Sequence, residues 1–217
     1  MNDLEIIYED DNIIAVNKPE GLASIHDSAG EKEDLQTLLS ERCKLKVFVV
    51  HRLDKEVSGV ILFAKNAAAH KMLNKQFAER TVKKSYIALV HGRVVKDEGS
   101  INKPIREFGS GRMGIDEAKG KPSKTLYKVI KRYPSYTLVE LNPTTGRRHQ
   151  LRVHLYYIGS AIVGDIRYGE KVFQEQYPRL MLHAKEVIVA MNDGTEKSFT
   201  AELPQSFSKY LQVVNEG

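Results

Sequence analysis

Short apolar runs separated by turn residues recur along this chain, and their spacing predicts its elements. Glu5 to Tyr8 and Ile13 to Val16 flank Asp10-Asp11-Asn12, the pattern of a hairpin. Asn17-Lys18-Pro19-Glu20-Gly21 then breaks the strand. Asp34 is placed to cap a helix with Leu35, Leu38, Leu39 and Cys43 on one face. Val47 to Val50 and Val57 to Phe63 read as strands around a polar segment. Asn66 caps a second helix, where Ala69, Met72, Leu73 and Phe77 follow helical spacing. Tyr86 to Val90 is a strand, and the glycine-rich stretch from Arg106 to Lys121 reads as a loop. Pro134-Ser135 and Asn192-Asp193-Gly194 each sit between two apolar runs and predict further hairpins. Thr145-Gly146 is expected to open a helix with Leu151, Leu155 and Ile158 inward and Gly159 as its stop. Leu180 to Leu182 reads as a short strand. Hairpins without regular βαβ alternation argue for an α+β fold with a mixed, largely antiparallel central sheet flanked by helices and loops.

The chain has 217 residues, 41% hydrophobic and 28% charged, which fits one domain over 1–217 and excludes disordered and fibrous classes. Its N-terminal stretch lacks the basic start and apolar core of a signal peptide, and no apolar run approaches the roughly 20 residues of a membrane helix. The expectation is a cytoplasmic protein with no membrane partner. Cys43 is the single cysteine, so a disulfide framework and a Cys-rich zinc site are excluded. Net charge is +5, but residues 1–34 hold ten acidic and two basic residues. That segment is −8, leaving +13 for the remainder, a distribution suited to a phosphate-bearing partner and also to a solvated surface of mixed charge.

Four segments carry candidate chemistry. In His51-Arg52-Leu53-Asp54 a carboxylate lies between two strands, where it can serve as nucleophile, general base, metal ligand or structural partner of an arginine. Arg147, Arg148 and Arg152 cluster at a predicted helix start, which favours an anion or an exposed basic face. Arg148 with Arg152, and Gln150 with His154, are four apart and are expected to share helical faces. His149 and His154 are five apart, which does not match a helical zinc pair. Lys83-Lys84-Ser85-Tyr86 fits either a core tyrosine or a phosphate-and-base contact. His183, beside Leu182, reads as a structural histidine. No nucleophile elbow or phosphate-cradling glycine loop is present.

Taken in order, these segments resemble the RluA family of RNA pseudouridine synthases. The resemblance rests on Asn17-Lys18-Pro19-Glu20-Gly21, His51-Arg52-Leu53-Asp54 with Ser58-Gly59, and Lys84 to Gly92. It continues through Gly120 to Thr125, Thr145 to His154, Gly164-Asp165 with Tyr168-Gly169, and Leu182-His183-Ala184. Val57 stands where the family usually has Thr, and Ser123 where Ala is common. The chain looks like the short form, without an N-terminal RNA-binding domain. The resemblance implies a cofactor-free isomerase that flips a uridine out of tRNA or a ribosomal RNA stem-loop and acts as a monomer. It implies Asp54 as nucleophile, Arg152 as its ion-pair partner and Tyr86 as the tyrosine stacking on uracil. It also implies substrate contacts from Lys18, His51, Arg52, Lys84, Arg147, Arg148 and Leu182. Basic residues between Arg106 and Arg132 are expected to grip phosphates. The competing readings are a non-catalytic RNA-binding or ribosome-assembly module of the same fold, and a hydrolase using Asp54 and His51.

Overall fold

The structure, a computed structural model, describes residues 4–26 and 33–216. Its elements begin with strands β1 (Glu5–Glu9) and β2 (Ile13–Lys18), helix α1 (Leu35–Cys43), strands β3 (Phe48–Val49) and β4 (Ser58–Ala64), and helix α2 (Ala67–Glu79). Strands β5 (Lys83–His91), β6 (Glu98–Asn102), β7 (Ile105–Glu107), β8 (Met113–Ile115), β9 (Lys124–Arg132) and β10 (Tyr136–Pro143) follow. The chain continues through α3 (Gln150–Tyr157), α4 (Lys171–Gln174), β11 (Leu182–Ala190), β12 (Glu196–Thr200) and α5 (Gln205–Glu216). The fold is α+β, and it divides into two compact units. One comprises Met1–Lys84 and Ala184–Leu203, the other Ser85–His183 and Pro204–Gly217.

In the first unit the β1–β2 hairpin closes through Asp10, whose Oδ1 accepts the Asn12 and Ile13 N–H groups, both at 2.7 Å. Strand β2 pairs antiparallel with β4, from Ile13 opposite Ala64 to Lys18 opposite Gly59. Every residue of β4 is buried, as its unbroken apolar run requires. Both predicted caps form. Asp34 Oδ1 accepts the Thr37 N–H at 3.0 Å, and Asn66 Oδ1 accepts that of Ala69 at 2.9 Å. Helix α2 then lays Ala69 and Leu73 into a core with Leu62, Val187, Val189 and Phe199. Strands β11 and β12 pair around Asp193-Gly194, as the turn residues predict.

In the second unit β10 pairs antiparallel with β5 and β9, and β9 with β6. Backbone bonds from Leu89 and His91 of β5 to Met181 and Ala161 tie two later segments to that strand. Helix α3 docks on β9 through its polar face. Gln150 Nε2 donates to Thr125 Oγ1 at 3.1 Å, and Thr125 Oγ1 lies 2.9 Å from His154 Nδ1. His154 Nε2 donates to the Lys103 carbonyl at 3.0 Å, and burial lowers this histidine's pKa, so it works as a neutral strut.

Several expectations change, among them Ile158, expected inward on the third helix and 38% exposed. The stretch from Arg106 to Lys121 is not all loop, because β7 and β8 form an antiparallel ribbon, with Ile105 opposite Ile115. Ile105 and Met113 bury against Val153 and Tyr168, so two apolar residues anchor a segment whose glycines suggest only looseness. Helix α3 starts at Gln150, after His149 in the left-handed region at φ 53°. Arg148 therefore precedes the helix and shares no helical face with Arg152. Strand β6 and helix α5 have no counterpart in the pattern reading. β6 buries only Ile101, and the buried Phe207 and Val214 of α5 lie among mostly polar neighbours.

Gly59 shows where backbone packing dictates a residue. Its φ is +115°, and a Cβ there would fall 2.1 Å from the Ala184 carbonyl oxygen. Gly194 has φ +83° but open space around it. Gly59→Ala is therefore expected to destabilise by about 3 kcal/mol or more, against about 1 kcal/mol for Gly194→Ala. Equilibrium denaturation of both variants measures this, and equal losses would contradict the close β4–β11 approach.

Candidate functional site

The segment before β4 holds its carboxylate on a fixed backbone. Lys18 is completely buried, and its Nζ donates to the carbonyls of Pro19 (2.8 Å), Leu22 (2.8 Å) and Lys55 (3.0 Å). The Gly21 N–H adds a second bond to the Lys55 carbonyl at 2.9 Å. One residue before Asp54, the Leu53 carbonyl accepts the Ser24 hydroxyl at 2.7 Å, and the Leu53 N–H donates back to Ser24 Oγ at 3.1 Å. The Asp54 carbonyl accepts the Val57 N–H at 3.1 Å, closing the turn into β4. The half-buried Asp54 side chain thus projects from a backbone held at both neighbours. Lys18 was read as a substrate contact, and the structure gives it three backbone carbonyls to hold in place.

His51 and Lys84 belong to this first unit. The Leu62 N–H donates to His51 Nε2 at 3.0 Å, and the ring stacks on Phe77 with centroids 4.7 Å apart. An acceptor Nε2 places the ring proton on Nδ1. Burial, and secondly the Lys84 ammonium, push the His51 pKa from its ordinary 6.5 to about 3. A neutral ring of this kind braces β4. The Lys84 pKa is lowered by burial. Arg52 is exposed and has no hydrogen-bond or ion-pair partner among the described residues, so its guanidinium is available to a ligand.

The second unit holds the other candidates. Tyr86 is half-buried on β5 opposite Leu141, on the same face of the strand as Lys84. Arg152 on α3 is buried, and its Nε and Nη2 reach Asp165 Oδ2 and Oδ1 at 2.8 and 2.7 Å. Asp165 Oδ1 also accepts the Arg167 and Tyr168 N–H groups at 3.0 and 3.1 Å. This fork fixes the guanidinium plane, and Tyr168 lies under it at 5.4 Å from the ring centroid. The Tyr168 hydroxyl is 2.7 Å from His149 Nδ1, a contact that offsets the left-handed backbone of His149. Gly164 brings the chain into the Asp165 turn, where a Cβ would lie 1.8 Å from the Arg179 carbonyl oxygen. The resemblance assigns Gly164-Asp165 no role, and in the structure this pair holds Arg152.

Arg147 and Arg148 lie in the turn before α3. Arg148 Nη1 pairs with Glu107 Oε1 at 2.9 Å, an exposed pair of small energetic weight. Arg147 differs, because its Nε is buried and has no hydrogen-bond partner among the described residues. Leaving such a donor unmet costs about 1–3 kcal/mol. Leu182 is buried at the start of β11. Of the basic residues expected on phosphates, Arg106 lies 3.2 Å from Asp116, Arg132 lies 2.7 Å from Asp97, and Lys131 bonds Asn215. Among the described residues, no group of three or more His, Cys, Asp and Glu is arranged to hold a metal ion.

The chain is similar to known proteins in sequence and in fold. A family model described as RNA pseudouridylate synthase matches residues 12–157. The chain is 40% identical over 190 residues to the dual-specificity RNA pseudouridine synthase RluA of Pasteurella multocida, covering 85% of each. It is 41% identical over 191 residues to the ribosomal large subunit pseudouridine synthase C of Vibrio vulnificus, covering 84% of this chain and 60% of that relative's length. Two solved structures are similar over nearly the whole chain. Human RNA Pseudouridylate Synthase Domain Containing 4 has a TM-score of 0.81 at 28% identity, covering 97% of this chain and 93% of that one. Human RNA Pseudouridylate Synthase Domain Containing 1 has a TM-score of 0.78 at 30% identity, covering 99% and 96%.

The neutral His51 makes a prediction about acid stability. Between about pH 3 and 6.5 the unfolded chain binds a proton at this position and the folded chain does not. Stability therefore falls as pH drops through that window, by up to about 1.4 kcal/mol per pH unit. His51→Gln keeps an acceptor for Leu62 and removes the titration. Denaturation midpoints at pH 7, 6 and 5 are expected to fall more steeply for the parent protein than for the variant. Parallel declines would show that His51 is not held neutral.

Proposed function

Since the chain belongs to the RNA pseudouridylate synthase family, we propose that it isomerises uridine in RNA to pseudouridine, with Asp54 as the catalytic carboxylate. The observation that carries this reading is the fixed backbone under Asp54, held through Leu53 by Ser24 and through Lys55 by the buried Lys18. A nucleophile gains rate when its approach is pre-set, and immobilised neighbours supply that. In the reaction the N1–C1′ bond of uridine breaks and a C5–C1′ bond forms. The proton on C5 is removed, and N1 ends protonated. Asp54 serves by attack on C1′, or by removing a sugar proton to give a glycal. The net change is an isomerisation, so the reaction consumes no oxidant, reductant or nucleotide.

On this reading residues 1–217 are one catalytic domain, and Tyr86 and Arg152 act with Asp54 on one flipped nucleotide. Arg152, whose guanidinium plane is fixed by Asp165, is on this reading the cation that assists the Asp54 carboxylate. Tyr86 stacks on the detached uracil and assists loss of the C5 proton. Arg52 enters the space the base vacates, and Leu182 lines the pocket. On this reading Arg147, in the turn before α3, meets a phosphate of the RNA. Lys84 and Arg148 add further contacts to the RNA, while Lys18 and His51 act on the protein backbone, holding the Asp54 segment and β4. The name of one relative, a ribosomal large subunit pseudouridine synthase, supports ribosomal RNA as a target, and the proposal extends to tRNA stem-loops and to a monomer acting in the cytoplasm. No helix among the described residues is long and apolar enough to cross a membrane.

Two variants test the roles. Asp54→Asn is expected to bind RNA and to abolish new pseudouridine, mapped by chemical labelling of unmodified bacterial total RNA. Arg152→Lys keeps a cation and loses the fork on Asp165, so turnover is expected to fall about 100-fold with RNA affinity retained. Arg152→Ala is the poorer test, because it strands the buried Asp165 carboxylate and costs about 3–5 kcal/mol of stability. Undiminished pseudouridine formation by Asp54→Asn would end the proposal for that residue.

A further inference from the structure

The second unit contains a cleft of about 350 Å³ that none of the residues proposed for catalysis lines. Its walls are the segment after β5, strand β6, Tyr127 of β9 and the end of α3. Arg93 and Lys96 stand at its mouth, both exposed and both without a hydrogen-bond or ion-pair partner among the described residues. Lys103 adds a third cation. Its Nζ lies 5.3 Å from the Tyr157 ring centroid and 2.6 Å from Glu117. The nearest acids in sequence do not neutralise Arg93 and Lys96. Asp97 pairs with Arg132 at 2.7 Å, and Glu98 stands opposite Lys128 across β6 and β9. Among the described residues no carboxylate lines the cleft.

The apolar lining narrows the ligand class. Val95 is 83% exposed, Tyr157 48% and Ile158 38%, an unusual set of open apolar surfaces beside free cations. A small anion would use the cations and leave these surfaces wet. A metal ion would need oxygen ligands with charge. A nucleotide strand uses both, with phosphates on the cations and base faces on tyrosine and aliphatic carbon. The position on α3 separates this cleft from the Arg152 fork. Tyr157 is five residues beyond Arg152, about 140° around the helix and about 7 Å along it.

We infer that this cleft binds a second, single-stranded segment of the RNA substrate, with phosphates on Arg93 and Lys96 and one base against Tyr157. The inference rests on the reading that the protein acts on RNA, and it adds a contact outside the reacting nucleotide. Such a contact supplies affinity and target choice and leaves the chemical step alone.

The test uses the full chain, fluorescein-labelled single-stranded oligouridine and unmodified bacterial total RNA. Arg93→Ala with Lys96→Ala is expected to weaken oligouridine binding about tenfold at moderate salt and to flatten the plot of log affinity against log salt by about 1.4. Tyr157→Leu is expected to weaken binding about fivefold or more, and Tyr157→Phe to restore it. Pseudouridine formed at saturating total RNA stays at the parent level in all three. Unchanged affinity and salt slope in the double variant would overturn the inference. If the parent protein binds oligouridine but forms no pseudouridine, the isomerase reading falls, and these affinities still decide the cleft. If it binds no RNA, both fall together.

Discussion

An ammonium group removed from water must find acceptors for its protons, and Lys18 finds them in three backbone carbonyls. Two belong to the Pro19-to-Leu22 turn and the third to Lys55. Losing that pattern would leave a desolvated charge at a cost of several kcal/mol, so the turn and the Asp54 segment are locked together. The Ser24 hydroxyl repeats the device from the other side by both donating to and accepting from Leu53. The Asp54 side chain needs no rigidity of its own, because the groups beside it cannot move without breaking buried bonds.

The second unit solves the same problem with side chains. Asp165 and Arg152 are both buried, and their fork is completed by two backbone N–H groups on the carboxylate. Each charge is unaffordable in isolation, and together they fix one guanidinium orientation. The histidines take a third route. His51 and His154 are held neutral by burial and each bonds a backbone group, so both act as struts.

Much of the fold is legible because it depends on local rules. The caps at Asp34 and Asn66, the hairpin turns at Asp10 and Asp193, and the buried run of β4 all follow from residue type and spacing. Elements whose burial comes from distant partners are not legible in that way. The β7–β8 ribbon exists because Ile105 and Met113 meet Val153 and Tyr168, more than 35 residues away. Helix α3 starts late because Gln150 Oε1 accepts the Arg147 N–H and the Thr145 hydroxyl, which hold the preceding turn out of the helix.

The site divides in the same way. By itself the sequence determined the order of motifs, and with it the family and the identity of Asp54, Tyr86 and Arg152 as the residues to ask about. Those are properties of residue type along the chain. Tertiary structure decided what surrounds them: that Lys18 clamps a backbone, that Asp165 orients Arg152, that His51 stays uncharged, and that Gly59 must lack a side chain. Each of these depends on which groups lose water together and which backbones approach most closely. Spacing along a chain does not encode those distances until the chain has folded.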